Sequence, residues 1–270
     1  LKKSPHIAVF LNIHAEHIDY HKNLKNYASA KSNITIYQSK NDYLIFNPQD
    51  KVVKQIAGKS KAKKIPIKTD NITRTIPASE IPFKGKFYFL NIGAAIAAVK
   101  IFNISNTKIR KAIKSFKPLP HRLEFIGKFK GISFYNDSLA TNPMSTISAI
   151  EAFDKNVQTI ILGGYDRGGV KFKELAKAIL KNKIKNLIFF PTTGEKIWND
   201  VLTLRQARGK NLPNHFLVRN MESAVRLAYK YTSSGKICLM SPASASFGIF
   251  KDYKDRGDKF KKAVKKLKNI

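Results

Sequence analysis

The chain has 270 residues, 43% of them hydrophobic, with a formal charge of +32 at pH 7; that is enough apolar material for about two packed domains and excludes a generally disordered chain. No apolar run approaches the roughly 18 residues that cross a bilayer. The start reads as no secretory signal, and the single cysteine, Cys238, excludes an internal disulfide framework and points to a reducing cytoplasm.

In chain order, HIAVFLNI (6–13) predicts a strand and HAEHIDYHKNLKNYASAKSNI a mostly helical stretch. Residues 41–90 read as short strands and loops broken by Pro48, Pro66, Pro77 and Pro82. NIGAAIAAVKIF (91–102) and TKIRKAIKSF (107–116) predict helices, and KPLPHRLEF (117–125), with two prolines, predicts a hinge and a domain boundary near residue 117. FYNDSLATNP (134–143) leaves a strand and enters a helix through polar residues suited to capping. VQTIILGG (157–164) is a continuous apolar run ending in glycines, as a buried parallel strand does. A helix over 172–182, the strand NLIFF (186–190), a helix from about Glu195, the strand HFLV (215–218), a helix over 221–232, KICLMSPASASF (236–247) and a basic helix complete the chain. Strand and helix alternating at this spacing predict an α/β fold with a mostly parallel sheet covered on both faces. Ligands then bind at the carboxyl ends of the strands, where Asp137–Asn142, Gly163–Gly168 and Ser241–Ser246 all fall.

His14, His17 and His21 stand at i, i+3 and i+7, a metal-ligand spacing if helical, or simply surface and capping histidines. LGGYDRGGVKF (162–172) has neither dinucleotide nor P-loop spacing. It is either a tight glycine turn or a stiff loop aiming Arg167 at a carboxylate. SPASASFGIF (241–250) reads as strand into helix, capped by Ser244 or Ser246 or open to an anion. Of 50 basic residues only nine are arginine, and the lysines are spread along the chain. That distribution argues against a nucleic-acid reader, while the general field favours anionic ligands.

Taken together, LNIHAEHIDYH, YASAKSNI, LPHRLEFIG, FYNDSLATNP, LGGYDRGG and MSPASASFGIFKDYKDRGDKF resemble successive motifs of the Mur ligases, in the family's order and over almost the whole chain. The resemblance implies the later part of a central ATP-binding domain in 1–117. It implies a Rossmann-like C-terminal ligase domain in 118–270. It also implies a monomeric enzyme that uses ATP and Mg2+ to join D-glutamate to UDP-N-acetylmuramoyl-L-alanine through an acyl phosphate. Carried over by position, His17 matches a magnesium ligand and Lys31 a lysine that is carbamylated, which turns an ammonium into an anion beside the metal. Asn91 and Arg122 match ATP contacts, and Asp137 a carboxylate holding the ribose. Thr141, Arg167, Ser246, Phe247 and Tyr253 match positions around D-glutamate.

Three departures from the family pattern stand out. Leu139 replaces a lysine, Phe87-Tyr88 replaces a His-Asn pair, and Arg167 stands where many members have lysine. The family's phosphate-binding GTxGKT loop occurs nowhere in the sequence, and the chain does not begin with methionine. The expectation is therefore a piece of a longer ligase, inactive by itself. The alternatives are a Mur-type ligase for another amino acid, an inactive remnant, or a basic nucleic-acid-binding protein.

Overall fold

The structure is a computed structural model that describes residues 3–14, 18–82, 85, 87–206 and 212–268. The chain forms two compact units, Leu1–Lys117 and Pro118–Ile270.

In the first unit, β1 (Ile7–Phe10), β2 (Tyr43–Phe46) and β3 (Lys63–Pro66) form a parallel sheet in the order β1-β2-β3. The helices are α1 (Ile18–His21), α2 (Leu24–Ile36), α3 (Lys51–Lys59), α4 (Ile72–Thr75), α5 (Phe87–Lys100) and α6 (Asn106–Ser115). One face of the sheet packs Ala8, Phe10 and Leu44 against Tyr27 of α2 and Val53 and Ala57 of α3. The other face sets Ile45 against Ala94 of α5. Ile72, Ile76, Tyr88 and Ile92 form a separate cluster. Helix α3 falls where sequence reading expects strands and loops. Its start is fixed by Asp50, whose Oδ1 accepts from Val53 N at 2.9 Å while Oδ2 accepts from Ile13 N at 3.0 Å.

The second unit contains β4 (Glu124–Phe129), β5 (Ile132–Asn136), α7 (Pro143–Glu151), β6 (Val157–Gly163), α8 (Lys173–Lys181) and β7 (Asn186–Phe190). It continues with α9 (Thr193–Gln206), β8 (Asn214–Leu217), α10 (Met221–Tyr231), β9 (Ile237–Met240) and α11 (Tyr253–Leu267). The six strands pair in the order β4-β5-β9-β6-β7-β8. All pairs are parallel except β4–β5. That exception is a hairpin closed by Lys130-Gly131, both at positive φ (50° and 77°), as a two-residue turn matching strand twist requires. The α/β fold with mostly parallel sheets is as the sequence predicts.

The apolar runs are continuous because both sheet faces are covered. Ile160, Leu162, Leu187, Phe189, Ile237 and Leu239 face α7, α8 and α9. Their alternate neighbours Ile161, Ile188, Phe190, Cys238 and Met240 face α10 and α11. Burial drives the Cys238 thiol pKa above the usual thiol range, so it is an inert core residue.

Candidate functional site

β5, β9 and β6 are consecutive and parallel, so their carboxyl ends share one rim. The loops that leave them, residues 137–142, 241–246 and 164–169, are bonded to one another. Gly163 N donates to Pro242 O at 2.8 Å and Tyr165 N to Ala245 O at 2.9 Å. Gly164 lies at φ 149°, and a Cβ there would come within 2.3 Å of Ala245 O, so only glycine permits this approach. Thr193 Oγ1 donates to Gly164 O at 3.1 Å and lies 2.6 Å from Ser244 Oγ. Ala243 holds a left-handed φ of 59° at 1% exposure, a strain this lattice maintains.

Asp137 lies beneath that rim at 1% exposure. Its Oδ1 accepts from Leu123 N at 3.2 Å and its Oδ2 from the Ser241 hydroxyl at 2.8 Å. Burial pushes its pKa up to about 6, against the opposing pull of the Arg122 charge, the Ser241 hydroxyl and the Leu123 N–H. In this arrangement each carboxylate oxygen accepts one hydrogen bond from within the second unit. Asp137 thereby ties the loop after β5 to Ser241 and to the 121–124 turn, where His121 (φ 64°) and Leu123 (φ 45°) are left-handed.

Asn136 supports the same turn, its Nδ2 lying 2.9 Å from His121 Nδ1 and donating to Glu124 Oε2 at 3.1 Å. Burial, then the Lys261 charge, lowers the His121 pKa against Glu124 and Asp258. Asn142 caps α7 by accepting from Ser145 N at 2.9 Å, with Pro143 at the first helical position.

Of the expected amino-acid contacts, Arg167 is exposed, its guanidinium carbon 5.7 Å from the centroid of the half-exposed Phe247 ring. Tyr165 meets that ring edge-on at 6.1 Å. Asp166 keeps the loop stiff through an ion pair with Lys196 and a 2.9 Å bond from Gly168 N. Thr141 and Tyr253 are half-buried; the Tyr253 carbonyl accepts from the Ser138 hydroxyl at 2.7 Å. Ser246 is buried at 4% and its carbonyl accepts from Phe250 N at 3.1 Å. Neither Ser244 nor Ser246 caps a helix, contrary to expectation. Residues 247–252 form turns, and α11 starts later with Asp252 as cap, accepting from Asp255 N at 2.8 Å.

In the first unit, His17 lies outside the described residues. His14 is exposed and outside helix, whereas His21 ends α1 with its ring 5.1 Å from Tyr27, so these two do not share a helical face. Lys31 is exposed on α2 with its ammonium 5.5 Å from the Tyr27 ring centroid. Asn91 is exposed on α5, and Tyr88 is a core residue at 9% exposure. Among the described residues no group of three His, Cys, Asp or Glu side chains forms a metal cluster.

Sequence reasoning gives no role to Arg256, which the structure buries completely in the first turns of α11. Its Nε donates to Ser138 Oγ at 3.0 Å, Nη2 to Ser138 O at 2.8 Å and Nη1 to Ser244 O at 3.0 Å. The available signal was periodicity. Arg256 falls on the buried face of α11 with Phe260, Ala263, Val264 and Leu267, where an arginine is out of place unless bonded.

Comparison with known proteins agrees with this architecture. The model of the Mur ligase middle domain matches residues 1–76, and that of the Mur ligase glutamate ligase domain matches residues 121–244. The chain belongs to the Mur ligase family. Within it, the chain is similar to the UDP-N-acetylmuramoylalanine--D-glutamate ligase of Acetivibrio thermocellus, 34% identical over 290 residues that cover 99% of this chain and 61% of that protein. The Enterococcus hirae enzyme of the same name is 33% identical, over 97% of this chain and 59% of its own. The chain thus spans about three-fifths of the length of these curated relatives. Among solved structures, MurF ligase from Thermotoga maritima in complex with ADP has a TM-score of 0.69 at 14% identity, covering 97% of this chain and 63% of that one. MurF from Acinetobacter baumannii has 0.72 at 15%, covering 99% and 60%. At such identities these two show the fold alone.

Proposed function

We propose that the chain is the D-glutamate-presenting part of an ATP-dependent amide-bond ligase that extends UDP-N-acetylmuramoyl-L-alanine in peptidoglycan precursor synthesis. The observation that carries this reading is the convergence of three bonded loops on neighbouring parallel strands, with Arg167 poised over Phe247 at their rim. A planar guanidinium on a stiffened loop suits a two-point grip on a carboxylate. The aromatic face beneath it limits the guanidinium's freedom.

ATP is a substrate in this reading. Its terminal phosphoryl group passes to the acceptor's carboxylate, giving an acyl phosphate and ADP. The amine of D-glutamate then attacks the carbonyl carbon, the carbon–oxygen bond to phosphate breaks, and phosphate and a proton leave. The task of Thr141, Arg167, Ser246, Phe247 and Tyr253 is to hold the amine in line, where orientation alone supplies several kcal/mol of the barrier. Asn91 and Arg122 are the proposed ATP contacts and Asp137 the proposed ribose carboxylate, which also braces the 121–124 turn through Leu123 N. Magnesium rests on the resemblance through His17 and a carbamylated Lys31; the described side chains do not themselves build a cation site. A cytoplasmic location accompanies this reading. Among the described residues no helix is long and apolar enough to cross a membrane.

The test is phosphate release by the full-length protein carrying this chain, with the UDP-linked acceptor, ATP and a panel of D-glutamate, L-glutamate, D-aspartate and L-lysine. Turnover with D-glutamate is expected. Turnover with another of the four instead transfers the site to a different amino acid, the reading that Leu139 favours.

A further inference from the structure

Arg256 is a buried cation whose bonded acceptors are all neutral: one hydroxyl and two backbone carbonyls. Buried charges ordinarily carry an opposite partner, because removing an ion from water is expensive. The neighbouring carboxylate, Asp137, spends its oxygens on Leu123 N–H and the Ser241 hydroxyl. Burial lowers the Arg256 pKa to about 9, which leaves the group cationic at neutral pH. Among the described residues, its guanidinium therefore donates to neutral dipoles alone. The same fork spans two loops, since Nε and Nη2 hold residue 138 after β5 while Nη1 holds residue 244 after β9. A lysine, with one nitrogen at the end of a flexible stem, cannot set that spacing. From Asp137 to Asn142 no side chain is basic, Leu139 included.

We propose that Arg256 is the positioning and selectivity residue of the amino-acid site, fixing the distance between the Ser138 and Ser244 loops while its uncompensated charge favours an amino acid with a second carboxylate over a neutral one. This rests on the proposed function and deepens it. Arg256 touches no substrate. It acts through the backbone of residues 138 and 244 and through its field, which is screened less from a fully buried position than from the surface.

The experiment compares R256K, R256Q and R256M with wild type in the full-length protein. The readouts are kcat, KM for D-glutamate, KM for ATP, and the preference for D-glutamate over D-glutamine, with folding checked by Trp198 fluorescence. R256Q and R256M are expected to raise the D-glutamate KM about 10–100-fold, since bonds to a charged donor are lost, and to lose the acidic preference. ATP KM stays within about threefold, because ATP binding does not draw on that charge. R256K keeps the charge without the fork, so it retains the acidic preference while its KM rises about tenfold. A merely structural residue would change stability or both KM values together. Folded R256Q and R256M with D-glutamate KM within about twofold of wild type overturn the proposal, as does unfolding of all three variants, R256K included. If wild type ignores D-glutamate but turns over another acidic amino acid, the proposed function fails and the comparison on that substrate decides Arg256. Preference of wild type for a neutral amino acid overturns both.

Discussion

The two units bury polar side chains to very different extents. In the first, Lys31 and Asn91 stand exposed on helices α2 and α5, over a core divided into three clusters. In the second, Asn136, Asp137, Ser138, Ser241, Ser244, Ser246 and Arg256 are buried at the strand ends, above one two-sided core. A buried polar group must be satisfied by its neighbours, so each such residue in the second unit fixes another, and the rim inherits the rigidity of the sheet. The exposed candidates of the first unit carry no such constraint, and their geometry is set by helix position alone. Precision in this chain is therefore a property of packing, and it is concentrated in the second unit.

The hardest way to break that contrast is through the core that carries the rim. Phe134 is fully buried, with ring centroids of Tyr229 at 4.8 Å and Phe260 at 6.4 Å. Phe134→Ala is expected to destabilise the second unit by about 3–5 kcal/mol. Denaturant unfolding followed at Trp198, the chain's one tryptophan, measures this directly. A loss below about 1 kcal/mol contradicts a tightly packed core.

The next effect is a pH dependence. The folded pKa of Asp137, about 6, lies above its ordinary 3.8, so the folded state holds the proton more tightly than the unfolded chain. Its favourable contribution is full below pH 3.8 and is lost as pH rises through about 6. Wild-type stability relative to Asp137→Asn therefore falls by about 3 kcal/mol at most between pH 4 and pH 7. A flat difference across that range rules out a raised pKa.

The smallest effects sharpen the comparison cap by cap. Asn142→Ala, which removes one capping bond from α7, costs about 1 kcal/mol. Asp50→Ala removes both the α3 cap and the bond from Ile13 N, and costs about 1–2 kcal/mol. Urea unfolding of both variants checks the order, and an Asn142→Ala loss larger than that of Asp50→Ala reverses it.

Much of the second unit was legible because strands covered on both faces spell themselves as apolar runs, as in 157–163, 186–190 and 237–240. The start of α7 was legible because Asn142-Pro143 is a local signal, and glycines 163–164 marked the loop that now approaches Ala245. Helix α3 was hidden among prolines and lysines, although Asp50 before Val52, Val53, Ile56 and Ala57 spells a cap and an apolar face. The antiparallel strand β4 was missed because its hairpin turns on Lys-Gly rather than Asn-Gly. Asp137 and Arg256 illustrate a deeper limit. Residue type announces a charge, but only the partners 12 to 118 positions away decide whether that charge faces a ligand or holds the protein together.

The strand order has a consequence for synthesis. β9, made after the other strands of its sheet, lies between β5 and β6, more than seventy residues older at the ribosome. Until Ile237–Met240 has emerged, both older strands present unpaired edges, and Arg256 has not yet arrived to join their loops. The middle of this sheet therefore closes after its flanking strands have been made, so vectorial folding cannot finish the rim until Ile237–Met240 has emerged.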